Sequence, residues 1–291
     1  MCADSGGDFL KRLYLSDLDG TLLDSSGRIS DFTVNAINSC IKDGFHFAFA
    51  TARSVYSASK IMSEVNIDSP CILMNGVSIY DLKRNIYLDN EYIPTDDSAE
   101  IIRAFRENGI QCFMYKIHEG ILSCYFTEIT DRVMQSFAEE RKNRYNKPFI
   151  QCNNLIDEAD SETVYFTVMD EYEKVLPVKK AAAGIAGVDF AFYEDTYTGK
   201  WYLEIFSSAA SKANGVKKLR KDYGFDEIVC FGDNLNDIPM FNESDVKIAV
   251  ENARPEIMAR ADHITLSNDN DGVAKYLLER KRRNEKINAW K

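Results

Sequence analysis

The stretch LYLSDLDGT at residues 13–21 indicates the fold of this chain. Its apolar first half predicts a buried strand, and Asp17 and Asp19 follow in a loop that Gly20 allows to turn tightly. In an open α/β sheet, ligands bind just beyond the carboxyl ends of the strands. Two acids held this close need a cation or a shared proton. The alternative is a solvated turn, because Asp and Gly favour turns by themselves.

A second acidic stretch, GDNLND at residues 232–237, also follows an apolar strand candidate. Its Asp233 and Asp237 offer the oxygen ligands that Mg²⁺ prefers in proteins. By itself, this stretch is equally well explained as a turn. Two acidic clusters at strand ends of one core favour a shared divalent ion instead.

Thr51 and Lys212 are candidates for a phosphate site. Thr51, in FATAR at 49–53, stands where a strand gives way to a helix, and a hydroxyl with free N–H groups at a helix start can hold a phosphate. Lys212 opens a predicted helix at 211–223, where a cation opposes the helix dipole by up to about 1 kcal/mol unless an anion is near. The alternatives are an ordinary N-cap threonine and a solvated lysine.

The order of predicted elements divides the chain into a core and an insert. Strands alternate with helices in 1–82 and again in 207–291, which indicates a parallel sheet covered by helices. Residues 83–206 carry paired strand patterns and amphipathic helices, one of them with Ile102 and Phe105 facing inward. The prediction is an α/β core interrupted by a compact α+β insert with an antiparallel sheet. The strand candidates ahead of residue 207 are 13–15, 45–50, 71–74, 85–95, 111–127, 163–169, 188–193 and 201–206.

The composition is that of a folded protein and limits its partners. Of the 291 residues, 45% are hydrophobic, which is enough for a sizeable core. The formal charge of −11 disfavours nucleic acid and anionic membranes, which bind basic surfaces. There is no apolar secretory signal and no apolar run long enough to cross a bilayer. The seven cysteines are dispersed without a C-x-x-C pair, so a cytoplasmic protein with reduced thiols is expected.

Four ordered motifs resemble those of the haloacid dehalogenase superfamily, and in particular its Cof-type phosphatases of subclass IIB. The motifs are DLDGT at 17–21, FATAR at 49–53, SK at 211–212 and GDNLND at 232–237. The resemblance covers the whole chain, strongly in the core and by layout in the insert. It implies a Rossmann-like parallel-sheet core with an inserted α+β cap domain of the C2B type, which selects the substrate.

The resemblance also implies a role for each motif residue. Asp17 would attack phosphorus, and Asp19 would act as general acid and then as general base. Thr51 would hydrogen-bond a phosphoryl oxygen, and Lys212 would neutralise charge on Asp17 and the phosphoryl group. The implied substrate contacts are Thr51, Ala52, Arg53, Asn75, Gly76, Lys212 and Asn236. The implied Mg²⁺ site consists of Asp17, Asp19 through its backbone carbonyl, Asp233 and, in support, Asp237.

The expected function is Mg²⁺-dependent hydrolysis of a small phosphomonoester, such as a sugar phosphate, through an aspartyl-phosphate intermediate. Tyr125, Tyr193 or Trp201 of the insert could line the pocket. Two alternatives stay open: a phosphosugar mutase with the same catalytic residues, and an inactive regulator that binds a phosphorylated ligand. The expected partner is a small phosphorylated metabolite, with no nucleic acid and no membrane, and the expected state is a monomer or weak homodimer.

Overall fold

The computed structural model describes residues 10–194 and 198–289, so Cys2 lies outside the described residues. The strands in chain order are β1 (Arg12–Ser16), β2 (His46–Phe49), β3 (Cys71–Leu73), β4 (Ser78–Asp81), β5 (Ile86–Asn90), β6 (Phe113–His118), β7 (Ile121–Phe126), β8 (Phe149–Gln151), β9 (Thr163–Asp170), β10 (Val188–Glu194), β11 (Trp201–Ser207), β12 (Glu227–Gly232), β13 (Val246–Val250) and β14 (His263–Thr265). The helices are α1 (Asp31–Lys42), α2 (Val55–Ile61), α3 (Thr95–Glu107), α4 (Arg132–Tyr145), α5 (Leu155–Glu158), α6 (Tyr172–Ala182), α7 (Lys212–Tyr223), α8 (Ile238–Glu243), α9 (Pro255–Met258) and α10 (Gly272–Ala289).

The core is a parallel sheet with strand order β14-β13-β12-β1-β2. Its central strand β12 pairs with β1 from Arg12 opposite Glu227 to Ser16 opposite Phe231, so both acidic stretches emerge at the same edge. Helix α1 packs against α10, and α7 packs against α8. The predicted α/β core is confirmed.

Local sequence explains the boundaries of the core helices. Ser30 accepts a hydrogen bond from the Thr33 N–H at the start of α1, and Ser211 accepts one from Asn214 at the start of α7. Gly224 follows α7 with φ of +66°, a conformation that glycine adopts without a steric penalty. The predicted helices at 31–43 and 211–223 are therefore found with ends shifted by a residue or less.

The strand at 71–74 has a different place from the one expected. Instead of extending the parallel sheet, β3 pairs antiparallel with β4, which pairs with β5 in a separate three-stranded sheet. An isolated bridge between Ala50 and Ile72 links β3 to the end of β2. The strand pattern near 85–95 accordingly belongs to this sheet and not to the sheet of the insert. The partner of a three-residue strand is decided by distant residues, which a local pattern does not contain.

The insert is built on a six-stranded sheet with order β10-β11-β9-β6-β7-β8. All neighbours are antiparallel except β7 and β8. Helices α3 and α6 cover one face through a second apolar cluster that includes the predicted inward residues Ile102 and Phe105. Helix α4 lies against β9 and also touches α2 of the core. Because strand residues alternate between faces, Phe166 joins the α3–α6 cluster while its neighbours Tyr165 and Thr167 face the core side.

The predicted boundaries of the insert, 83 and 206, fall in the β4–β5 turn and in the last residues of β11. They stay predictions. Among the described residues, no helix combines the length and apolar character required to span a membrane.

Candidate active site

The centre of the site is the ammonium group of Lys212. Its Nζ donates to Asp17 Oδ1 over 2.5 Å and to Asp237 Oδ1 over 2.7 Å. All three side chains are buried, with 2%, 5% and 0% exposure for Lys212, Asp17 and Asp237. Three residues that lie up to 220 positions apart in the chain thus form one ion-paired cluster beneath the carboxyl edge of the sheet.

The charge balance of this cluster explains the unusual position of a lysine in a first helical turn. Burial opposes the charge on Lys212, but Asp17 and Asp237 more than offset that effect and raise its pKa. Burial also raises the pKa of Asp17 well above its usual range, although Lys212 partly counteracts this rise. An anion near Lys212 was expected from the sequence, and the structure places two there, the carboxylates of Asp17 and Asp237.

Asp237 connects the cluster to the second acidic loop. Its Oδ2 accepts hydrogen bonds from the backbone N–H groups of Asp233 (3.0 Å) and Asn234 (3.1 Å), while its Oδ1 accepts from Lys212. A side chain at Gly232 would overlap Asp237, so glycine is required for this approach. Asp237 thus orients both the loop and the lysine, and its predicted role in support of a metal stays a prediction.

Asp233 completes a set of carboxylates that fits a hard divalent cation. One oxygen each of Asp17, Asp233 and Asp237 lies within 4.8 Å of the others. Burial and then the charge of Asp237 raise the pKa of Asp233 to about 6, which reflects three acids close to a single amine. Oxygen ligands of this kind suit Mg²⁺. The three carboxylates therefore fit the magnesium ion that the resemblance implies, and the assignment of Asp17 and Asp233 as its ligands stays a prediction.

Two polar residues make hydrogen bonds to the two acidic loops, and neither was assigned a role from sequence. The Thr21 hydroxyl donates to Asp233 Oδ1 over 2.9 Å. The Asn252 amide donates to the Gly20 carbonyl over 2.8 Å, and its oxygen accepts from the Asn268 N–H. Thr21 belongs to the DLDGT motif, so the motif itself offered a signal. Asn252 lies in the segment 250–253, where the resemblance places a loop beside the site, but no contact with Gly20 was predicted for it.

Gly20 of the first acidic loop lies close to Asp233 of the second. It has φ of +78°, and a Cβ at this position would lie 2.5 Å from Asp233 Oδ2. We expect Gly20→Ala to lower the free energy of unfolding by at least about 1–2 kcal/mol for the backbone conformation alone. It should also displace Asp233 and remove most of the stabilisation that Mg²⁺ provides to the wild type.

The matched control for this prediction is Gly120→Ala. Gly120 has the same φ of +78°, but a Cβ at this position would meet no described atom within 4 Å. Thermal unfolding with and without Mg²⁺ separates the two contributions. Gly120→Ala should lose stability but keep the Mg²⁺-dependent rise in Tm, and an equal rise in Gly20→Ala would contradict the proposed proximity.

Asp19 lies at the edge of this cluster and pairs with Arg53. The guanidinium donates through Nε to Asp19 Oδ2 (2.7 Å) and through Nη2 to Oδ1 (2.5 Å). The Asp19 side chain is 51% exposed, in contrast to buried Asp17. Only two positions separate these acids in sequence, yet one faces the lysine and the other faces the open space above the sheet.

The FATAR segment forms the opposite wall. Thr51 is buried, and its hydroxyl accepts from the Arg53 N–H over 3.1 Å. The backbone N–H groups of Met74 and Asn75 donate to the carbonyls of Arg53 and Thr51. These bonds bring the Asn75–Gly76 turn next to the motif, as its predicted role in substrate binding requires.

Gly76 is packed against the core of the site, whereas Asn236 is exposed. A side chain on Gly76 would overlap the backbone of Ser211, so this turn packs directly on the start of α7. Asn236 is exposed on the 235–237 turn. Their predicted contacts with substrate stay predictions.

A cavity of about 500 Å³ lies between the core and the insert. Asp19, Ala52 and Arg53 line its core side. Of the three aromatic residues suggested from sequence, Tyr193 lines this cavity, whereas Tyr125 and Trp201 do not. Trp201 instead packs on Tyr172 and Phe192 within the insert.

Comparison with known proteins agrees with the motifs. The sequence model of haloacid dehalogenase-like hydrolases matches residues 14–277. Phosphatase YwpJ of Bacillus subtilis is 25% identical over 284 residues, which cover 90% of this chain and 97% of that protein. Endoribonuclease YBEY, chloroplastic, of Arabidopsis thaliana is 29% identical over 270 residues, which cover 89% of this chain but only 44% of that protein.

Solved structures share the fold over nearly the whole chain. A haloacid dehalogenase-like hydrolase from Bacteroides thetaiotaomicron has a TM-score of 0.77 at 20% identity and covers 92% of this chain and 98% of its own. The subclass IIB sugar phosphatase BT4131 has a TM-score of 0.68 at 20% identity with the same coverage. The core with its inserted α+β unit, the clustered motif residues and a family match over residues 14–277 lead to one conclusion: this chain belongs to the haloacid dehalogenase-like hydrolase family.

Proposed function

We propose that this protein is a Mg²⁺-dependent phosphatase that hydrolyses a small phosphomonoester through a phosphorylated Asp17. The observation that carries this proposal is the contact of Lys212 with both Asp17 and Asp237, beside Asp233. Similar proteins named as phosphatases, such as Phosphatase YwpJ, support the reaction class. Phosphoryl transfer needs in-line positioning and neutralised charge, and this cluster can supply both.

In the first step, a carboxylate oxygen of Asp17 forms a bond to phosphorus while the bond to the leaving-group oxygen breaks. Asp19, which faces the cavity, donates a proton to that oxygen. In the second step, Asp19 accepts a proton from a water molecule whose oxygen attacks phosphorus, so that inorganic phosphate leaves and the Asp17 carboxylate is restored. Two steps through a covalent intermediate replace one difficult hydrolysis.

The chain's own residues neutralise the charge that builds up. Lys212 stays next to Asp17 throughout, and the Thr51 hydroxyl can donate to a phosphoryl oxygen from the opposite wall. Mg²⁺ held by Asp17, Asp233 and the Asp19 carbonyl would supply the remaining positive charge. Arg53 must release or share Asp19 when substrate binds, because both oxygens of Asp19 now accept from its guanidinium.

The setting of the reaction is also part of the proposal. The six described cysteines are free, which supports a reducing compartment such as the cytoplasm. We infer a small phosphorylated metabolite as the only required partner, and a monomer or weak homodimer as the working state.

Removal of the metal tests the proposal directly. We expect EDTA to abolish hydrolysis of p-nitrophenyl phosphate and Mg²⁺ to restore it. Asp233→Asn should raise the Mg²⁺ concentration for half-maximal turnover by about 10-fold or more, because one carboxylate ligand is lost. Asp222→Asn, on the exposed side of α7, is the matched control and should behave as wild type. Undiminished turnover in EDTA would refute the metal requirement.

A further inference from the structure

The cavity between core and insert has a polar wall that the proposed reaction does not use. Asp19 faces this cavity, so the leaving group that it protonates must lie there. Opposite Asp19, the insert contributes Lys147, which follows α4, and Glu204 from β11, set among tyrosines of β6, β9 and β10. These insert residues are therefore among those that can contact the part of the substrate beyond the phosphate.

Lys147 is a buried cation without a carboxylate partner. It is 6% exposed, and its Nζ lies 4.0 Å from the centre of the Tyr115 ring. Among the described residues, its ammonium makes no ion pair within 4 Å and no side-chain hydrogen bond, and Glu204 acts on it only as a nearby opposite charge. Burial lowers the pKa of Lys147 to about 8. A buried ammonium in this state is costly, and a ligand that accepts a hydrogen bond would offset the cost.

Glu204 is the matching acid on the same wall. In the part of the chain that the structure describes, no cation forms a direct ion pair with its carboxylate. Burial raises the pKa of Glu204 to about 7, and Tyr165 and Tyr193, followed by the charges of Arg141 and Lys147, act against that rise. The Tyr165 hydroxyl is buried and, although near Glu204, makes no hydrogen bond of ordinary geometry with the described residues. This wall of the cavity therefore has hydrogen-bond donors and acceptors that remain available to a ligand.

The other charged groups around the cavity are already engaged. Arg53 pairs with Asp19, and Arg141 contacts Glu140 at 3.3 Å and lies over the Phe137 ring. Lys147 and Glu204 thus remain as one basic and one acidic group on this wall that make no direct ion pair. A leaving group with a second anion would meet Lys147 but would be repelled by Glu204.

We propose that Lys147 and Glu204 form a leaving-group subsite for an uncharged, hydroxyl-bearing group, such as a sugar or sugar alcohol, and select against a second anion. A hydroxyl accepts a hydrogen bond from the ammonium and donates one to the carboxylate, so adjacent hydroxyls satisfy both groups. Tyr165 adds a further donor or acceptor. The subsite rests on the proposed function, since it concerns the substrate of that same reaction.

The test compares the wild type with Glu204→Gln and Lys147→Met in the presence of Mg²⁺. The probes are ribitol 5-phosphate and sorbitol 6-phosphate as uncharged leaving groups, 6-phosphogluconate and fructose 1,6-bisphosphate as anionic ones, and p-nitrophenyl phosphate as a hydroxyl-free reference. The wild type should prefer the better of the two polyol phosphates over 6-phosphogluconate in kcat/KM. Each variant should raise KM for that polyol phosphate by about tenfold, the effect of one lost hydrogen bond to a charged group.

The two variants should differ with the anionic probe. Glu204→Gln leaves Lys147 as the only ionisable group of the two-residue subsite. The kcat/KM for 6-phosphogluconate should therefore rise, and the preference for the polyol phosphate should shrink. Lys147→Met should not raise kcat/KM for 6-phosphogluconate. The matched controls are Glu173→Gln and Lys180→Met on the exposed side of α6, which should keep the wild-type preference. If Glu204→Gln does not fold, Tyr165→Phe replaces it and should raise KM for the polyol phosphate by about threefold.

The outcomes separate the subsite from the reaction. A wild-type preference for 6-phosphogluconate or fructose 1,6-bisphosphate overturns the subsite, and so does a selectivity that stays within twofold of wild type in both variants. Either result leaves the phosphatase proposal intact as long as p-nitrophenyl phosphate is hydrolysed. If none of the five probes is hydrolysed, the proposed function fails and the subsite fails with it.

Discussion

Replacing Asp17 by asparagine is expected to reduce kcat for p-nitrophenyl phosphate by at least about 10⁴-fold, because the amide cannot act as the nucleophile. Asp17 directly follows strand β1, and it is the acid of that loop whose carboxylate accepts a hydrogen bond from Lys212. The variant keeps the size and shape of the side chain, so the cluster can still form. Loss of activity would therefore report the chemistry of the carboxylate and not the packing around it.

The measurement should combine turnover with a test for the intermediate. Rapid acid quenching after mixing with a phosphomonoester labelled in its phosphoryl group should trap label on the wild type and none on Asp17→Asn. Asp222→Asn, exposed on α7, should match wild type in both assays. Turnover of Asp17→Asn at the wild-type rate would rule out Asp17 as the nucleophile, and label retained on this variant would point to another residue.

Lys212→Met is expected to damage both activity and stability. Lys212 is the cation shared by two buried carboxylates, and removing one partner of a buried ion pair costs about 3–5 kcal/mol. Without the amine, Asp17 and Asp237 repel each other, and the free energy of unfolding should fall by an amount of this order in EDTA. Because charge on Asp17 and the phosphoryl group is no longer neutralised, kcat should fall by about 10²–10³-fold.

Mg²⁺ provides an internal check on this prediction. The ion supplies positive charge next to the same carboxylates, and a ligand that binds only the folded state stabilises it. The Mg²⁺-dependent rise in Tm should therefore be larger in Lys212→Met than in wild type. Lys221→Met, exposed on the same helix, is the control. If Lys212→Met unfolds in EDTA at the wild-type temperature, the amine does not balance the buried acids.

The core of this protein was predictable because its signals are local. Each acidic stretch follows an apolar strand directly, and parallel strands end at a common edge, so Asp17 and Asp233 were expected at the same edge of the sheet; the pairing of β1 with β12 brings them close together. Lys212 was suggested by its conflict with the helix dipole, and it is found between two carboxylates. The family and its fold class followed from the same four motifs and are confirmed.

Other features escaped prediction for a physical reason. The short strand β3 was expected in the parallel sheet, but its hydrogen bonds go mainly to β4. The contact of Asn252 with Gly20 joins loops more than 200 residues apart, and no apolar periodicity predicts it. Both contacts depend on which segment, distant in sequence, packs next to β3 or Asn252. A short stretch of neighbouring residues does not contain that information.

By itself, the sequence determined the parallel-sheet core, the two acidic loops at its edge and the presence of an α+β insert. These features depend on apolar periodicity and turn residues, which can be recognised within a few consecutive positions. Only the tertiary structure decided which insert residues face the core. Lys147 and Glu204 lie 57 positions apart and come from a helix end and a strand. The face to which a strand residue points is known only once the helices that cover the other face are in place.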